Sequence, residues 1–159
     1  MQPLTGSRPI TAPAPPTRGR TATADALTDT RATAQEFFRR LSTWDADAVG
    51  ELFADDVVWL VPGASSLPWV GRRARREEVP EYLTTMWSHF HTDQSTASID
   101  RIVVEGEEAF ALGTFSRVAN TTGRRFTTPV AMHITVRQGC IIRVHLYEGT
   151  HAVAQAFGV

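Results

Sequence analysis

The chain has 159 residues, a formal net charge of −1 and 42% apolar residues, which suits about one domain with a core of its own. So small a charge leaves no electrostatic footprint for nucleic acid or an anionic membrane, and no run reaches the ~18 apolar residues a membrane span needs. The one cysteine, Cys140, rules out an intrachain disulfide and a cysteine-based metal site.

The opening stretch, MQPLTGSRPITAPAPPTRGRTATA, holds five prolines and three arginines with no acid. Residues 1–26 are therefore expected to be a disordered tail, and 27–159 the folded body, with a cytoplasmic location. All sixteen basic residues are arginine, which reads as coding bias in a GC-rich genome. In TDTRATAQEFFRRLSTW the helical spacing of Phe37, Phe38, Leu41 and Trp44 predicts a first helix, with Thr28 or Asp29 as its cap. DADAVGELFADD predicts a second, capped by Asp45, with Val49, Leu52 and Phe53 turned inward. VVWLV predicts a strand ended by Pro62-Gly63, and GASSLPWVGRRA a loop. The third helix carries Val79, Leu83, Met86, Trp87 and Phe90 on one stripe, with Pro80 tolerated in its first turn and RRARREE as its solvated start.

From Ser95 the pattern alternates as strands do. STASIDRIVV meets AFALGTFSRV across Glu105-Gly106, and RRFTTPVAMHITVR meets CIIRVHLYE across Gln138-Gly139, with a bulge or bend expected at Pro129. A short helix follows Gly149. Helices followed by antiparallel strands predict an α+β domain with helices packed on one curved sheet.

Two stretches, FFRRLSTWDADAVGELFADDVVWLVPG and VRQGCIIRVHLYEGTHAVAQAF, resemble the SnoaL-like branch of the nuclear transport factor 2-like superfamily, also called ketosteroid isomerase-like, from about Ala32 to Phe157. The resemblance implies a cone: a curved mixed or antiparallel sheet wrapped around a pocket closed by three N-terminal helices. It also implies a homodimer and no cofactor. Members include polyketide cyclases, ketosteroid isomerases, epoxide hydrolases, dehydratases and non-enzymes, so the fold does not choose the chemistry. Where ketosteroid isomerases keep a tyrosine, an aspartate base and an acid, this chain has Phe37, Val61 and, nearby, Met132. Where SnoaL-like cyclases keep an aspartate past the last strand it has Gly149, with Glu148 one residue early. The acid is lost or displaced.

If the last hairpin pairs without interruption from Arg137 and Cys140, Met132 faces His145, Ile134 faces Arg143 and Val130 faces Tyr147. The family positions then put that face inside the cone. His145 would be the acid/base and Tyr147 an oxyanion donor. Substrate would lie against Phe37, Trp59, Val61, Trp69, Met86, Met132, Ile134 and Arg143, with Trp69 either a lid or an anchored loop residue. The opposite face, with His133, Val144 and Leu146, would be the dimer interface. A one-residue slip exchanges the two faces. His89 and His91 point apart, and no metal site is expected. Each candidate has a plain alternative: a hydrogen-bonded core histidine for His145, a packing aromatic for Tyr147, a solvated arginine for Arg143.

These observations lead to an expected cofactor-free enzyme for an apolar, polyketide-like substrate in specialised metabolism such as antibiotic biosynthesis, working by acid–base cyclisation, isomerisation or dehydration. The alternatives are a ligand-binding or dimeric accessory protein that has lost its acid, and a pocket that only shapes a spontaneous cyclisation.

Overall fold

The computed structural model describes residues 24–159, with side chains from Asp29 onward, so the tail expected over residues 1–26 falls almost entirely outside the described residues. Helix α1 (Ala24–Leu41) leads, and α2 (Ala46–Gly50) follows with Asp45 as N-cap, its carboxylate accepting the Ala48 N–H at 3.0 Å. Leu52 and Phe53 are not helical: strand β1 (Phe53–Val61) begins four residues before the expected VVWLV.

The segment read as loop and solvated helix start is a short strand, β2 (Gly71–Arg75), antiparallel to β1 with Arg73 opposite Trp59. Its charge is tolerable because it is an edge strand: Arg72 and Arg75 reach water, and Arg73 lies over the ring of Tyr82. The Glu78 carboxylate accepts the N–H groups of Ala74 and Arg75 at 2.7 and 2.8 Å, and so ties the end of β2 to the first turn of α3 (Glu78–Trp87). Those bonds hold the Glu78 carboxyl below its ordinary range. Phe90 lies beyond α3 rather than on it.

Four long strands follow: β3 (Thr96–Glu105), β4 (Glu108–Val118), β5 (Arg125–Arg137) and β6 (Cys140–Glu148), then a last helix α4 (Thr150–Phe157). The sheet runs β2-β1-β6-β5-β4-β3, antiparallel except for β1 beside β6. This is the expected α+β cone, a curved mixed sheet with helices over one face, with one strand more than the sequence pattern revealed. No described helix is long and apolar enough to cross a membrane.

Beside register shifts along β1, two irregularities in the long strands shape the sheet. In β3, Asp100 has no partner between Ile99↔Gly113 and Arg101↔Leu112. In β6, Ile142 has none between Val136↔Ile141 and Thr135↔Arg143. The Gln138-Gly139 turn has φ of 52° and 76°, the two positive angles a type I′ hairpin requires, and Arg137 pairs with Cys140 as expected. The bulge expected at Pro129 is absent: Pro129 pairs with Thr114 in an unbroken β4–β5 ladder.

At the β3 bulge a Cβ on Gly113 would stand 1.9 Å from the Ser98 carbonyl oxygen, a backbone atom that cannot step aside. Gly113→Ala is therefore expected to cost about 1–3 kcal/mol in urea unfolding. A change below about 0.5 kcal/mol, the range of ordinary surface substitutions, would show that the two strands do not approach so closely.

Candidate active site

The Ile142 bulge decides which side chains of β6 face the concave side of the sheet. Beyond it, Met132 pairs with Leu146, Ile134 with Val144 and Val130 with Glu148. Each is one residue away from uninterrupted pairing, so the inward face of β5 is as expected while that of β6 is inverted. Val144 and Leu146 are buried at 0% and 5% exposure, and Tyr147 is 49% exposed.

His145, Tyr147 and Arg143 accordingly lie on the convex face, paired with His133, Ala131 and Thr135. His145 and Tyr147 stack on each other at 4.1 Å, and neither lines the cavity. The catalytic placement of His145 and Tyr147, and the substrate contact of Arg143, are corrected by this register. Val144 and Leu146 in turn leave the proposed dimer face for the core, whereas His133 stays on it.

Under α1 and α3 the sheet encloses a cavity of about 290 Å³. Trp59, Val61, Trp69, Met86 and Met132 line it, as expected. Phe37 and Ile134 do not: both are completely buried, and Phe37 packs edge-on against Phe53 and Trp59 at 5.9 Å, behind the cavity wall. Trp69 is an anchored residue, 2% exposed and edge-on to Phe157 at 4.9 Å. Trp44 and Trp87 meet at 5.1 Å, and Trp44 is 40% exposed, so this pair forms a rim between cavity and solvent.

Three polar side chains that the sequence reading left out of the site complete it. Glu148 lies in its wall, paired with Val130. Burial pushes its carboxyl above the ordinary range, and the field of Arg117 pulls it partly back. Arg117 comes from β4, where strand parity sets it on the same face as Phe115. Its guanidinium lies over the rings of Phe115 and Phe90 at 4.7 and 5.1 Å, and its Nη1 is buried without a hydrogen-bond partner. Burial lowers its pKa while the Glu148 carboxylate opposes that through space, and it stays charged as arginines do. Tyr82, on α3, donates its O–H to Met86 Sδ at 3.4 Å, and burial raises its phenol so far that it remains neutral.

Gly149 is a helix cap rather than a cavity residue. Its N–H donates to Thr128 Oγ1 at 2.8 Å, and a Cβ there would stand 2.7 Å from that oxygen. Any side chain at this position would press on the Thr128 hydroxyl, and the chain instead brings its carboxyl to the cavity from the residue before. Signals for this were present: Val144 and Leu146 are the aliphatic residues in the second half of β6, and uninterrupted pairing turns them outward. Among the described residues no cluster of three metal-ligating side chains occurs.

The SnoaL-like domain family model matches residues 34–144. No curated protein matches the chain. Among solved structures, an NTF2-like protein of unknown function from Burkholderia pseudomallei superposes with a TM-score of 0.74 at 20% identity, over 82% of this chain and 98% of that one. TerC, co-crystallised with polyporic acid, gives 0.72 at 14% identity over 82% and 99%. A protein of ketosteroid isomerase-like fold from Catenulispora acidiphila, in complex with trimethylamine, gives 0.62 at 16% over 74% and 88%. At such identities the structures speak for the fold alone. With a family match across most of the folded body and a cone-shaped sheet around a cavity, the chain belongs to the SnoaL-like domain family, and its fold is that of the NTF2-like structures it superposes on.

Proposed function

We propose that this protein is a cofactor-free proton-transfer enzyme for an apolar, polyketide-like substrate in specialised metabolism, and that Glu148 is its acid/base. The observation that carries the reading is Glu148 itself, the one carboxyl in the wall of an otherwise mainly apolar and aromatic cavity. A carboxyl lifted by burial holds a proton closer to neutral pH than an exposed one does, and gives or takes it more readily there. In the simplest step the Glu148 carboxylate removes a proton from carbon next to a substrate carbonyl. The C–H electron pair forms the enolate, whose charge rests on oxygen, and the same carboxyl returns the proton at another carbon. Where a β,γ double bond makes the enolate a dienolate this is isomerisation; attack of the enolate carbon on a second carbonyl gives cyclisation, with the new alkoxide taking the proton from Glu148, and departure of a β-hydroxyl as water, protonated by Glu148, gives dehydration.

In the same reading the protein works as a homodimer through the convex sheet face. That face exposes Val103, Phe110, Leu112 and Tyr147, each more than 40% accessible, around His133, which stacks on Phe110 at 4.5 Å and hydrogen-bonds Glu108. A contiguous apolar band of this kind is the sort of surface that subunits cover.

Exchange of the α-protons of 2-tetralone, a bicyclic enolisable ketone, followed by NMR in deuterated buffer, tests the chemistry. Wild type should accelerate exchange, and Glu148→Gln should lose ~10²–10⁴-fold of that rate. Equal rates in both would leave a binding pocket without acid–base function. Because the base is the ionised form, the wild-type rate should rise with pH through a midpoint above the ordinary carboxylate range. Stability provides a separate check. A carboxyl whose pKa is raised by folding favours the folded state below its unfolded pKa, and that contribution is lost as pH rises through the folded value. Glu148→Gln should therefore melt higher than wild type at pH 8, with the gap closing toward pH 4; a gap that widens in acid contradicts a raised carboxyl. For assembly, wild type is expected to sediment as a dimer and Phe110→Glu/Tyr147→Glu as a folded monomer. A monomeric wild type would refute the interface.

A further inference from the structure

A chain with a near-neutral overall charge places two arginines against the aromatic groups of its cavity region. Arg117 lies over Phe115 and Phe90, and Arg73 stands 4.5 Å over the ring of Tyr82. An aromatic cavity with one carboxyl would ordinarily suit an organic cation, held on ring faces and neutralised by the acid. Here three of the ring faces are already taken by the protein's own guanidiniums. Burial, moreover, raises the proton affinity of the carboxyl, which makes it a poorer counter-charge than an exposed one. A cationic ligand would meet repulsion from Arg117 with little attraction to offset it.

For an anion the same groups work in the opposite sense. Arg117 lines the cavity, and its Nη1 is a buried donor with no hydrogen-bond partner. Glu148 affects it through space only, with no hydrogen bond between the two. A buried charge without a bonded counter-charge is costly, and it is kept where something else completes it. A guanidinium also offers several N–H donors in a fixed plane, which matches carboxylate and enolate oxygens. The remaining walls, Trp59, Trp69, Met132 and Leu146, are flat or apolar and suit a conjugated ring system.

We infer that the cavity selects planar, conjugated ligands that bear one anionic oxygen, carboxylate or enolate, and that Arg117 is the residue that binds it. The inference shares its cavity with the proposed reaction, but it concerns ligand charge and needs no turnover. In the enolate case Arg117 would hold the oxygen on which charge collects when Glu148 takes a proton, and so favour the ionised state over the neutral ketone.

Isothermal titration calorimetry at pH 5.5, where naphthoate is ionised and Glu148 is closer to its neutral form than at pH 8, tests this with three ligands of one shape: 2-naphthoate, neutral 2-naphthamide and cationic 2-naphthylmethylammonium. Wild type should bind the naphthoate at least ~10-fold more tightly than either of the others, the discrimination expected of one charge-assisted hydrogen bond. Arg117→Met, a near-isosteric change that removes a buried charge, should fold and bring the three within ~3-fold of one another. Binding of the amide or the ammonium as tightly as the naphthoate by wild type overturns the inference. So does a preference that survives in Arg117→Met, or no binding of any of the three. Glu148→Gln separates this from the proposed reaction, because it should keep the naphthoate preference while losing proton exchange. Loss of the preference in Glu148→Gln would assign ligand selection to the carboxyl and overturn the role of Arg117. Retained exchange in that variant would count against Glu148 as acid/base only.

Discussion

One unpaired residue, Ile142, determines the chemistry of the cavity. The β5–β6 hairpin leaves its turn in the register the Gln138-Gly139 pair dictates and keeps it through Val136↔Ile141; after Ile142 every β6 side chain has changed face. The alternative without the bulge would set Arg143, His145 and Tyr147 beneath the helices and turn Val144 and Leu146 to the outer face. Burying a valine or leucine side chain stabilises by about 1.5–3 kcal/mol. Giving up a ladder hydrogen bond costs about 0.5–1.5 kcal/mol net. Two apolar side chains therefore outweigh one interrupted pairing before any penalty for burying an arginine is counted.

From that displacement the site follows. Glu148 comes to face the cavity as the last residue of β6, and Gly149 is left to start α4, its carbonyl accepting the N–H groups of Ala152 and Val153 and its own N–H donating to Thr128. On β4, strand alternation brings Arg117 to the same concavity two residues after Phe115. Both charged groups hang from strands in the interior of a six-stranded sheet, not from loops. Their separation is thus set by backbone hydrogen bonds, and it does not depend on the conformation of a mobile segment. Helix α3 adds Tyr82 and Met86 from above, tied to edge strand β2 by the Glu78 carboxylate.

Much of the fold was legible because it rests on periodicity and turn chemistry. The Asp45 cap, the Pro80 position, the Gln138-Gly139 turn and the four long strands are each encoded within a few residues. What was illegible depended on contacts distant in sequence. Strand β2 reads as a charged loop because an edge strand needs no apolar alternation. The β6 register was misread because a bulge has no sequence signature of its own. Its trace was a conflict: the apolar residues of β5 and β6 fall on opposite faces under uninterrupted pairing. That conflict, weighed by burial, points to the extra residue. Trp59, Val61, Trp69, Met86 and Met132 were recognisable as cavity residues because their placement did not depend on β6. Tyr82 and Arg117 were missed for a different reason. A tyrosine on a helical stripe and an arginine near a strand end look like ordinary surface residues until the opposite wall is in place.

The separation between Glu148 and Arg117 matters as much as their presence. In a bidentate contact each would satisfy the other: the carboxylate would be held ionised well below its ordinary range, and the guanidinium would have no donors left for a ligand. Instead the two interact through space, with burial the larger influence on both. The carboxyl therefore keeps its affinity for a proton, and the guanidinium keeps an unfilled coordination sphere. A ligand in the cavity would exclude water from both groups and strengthen the interactions of each with it. The aromatic wall thus contributes to the electrostatics as well as to shape: burial against it raises the proton affinity of the acid, while the spacing of β4 and β6 keeps the acid and the cation from pairing.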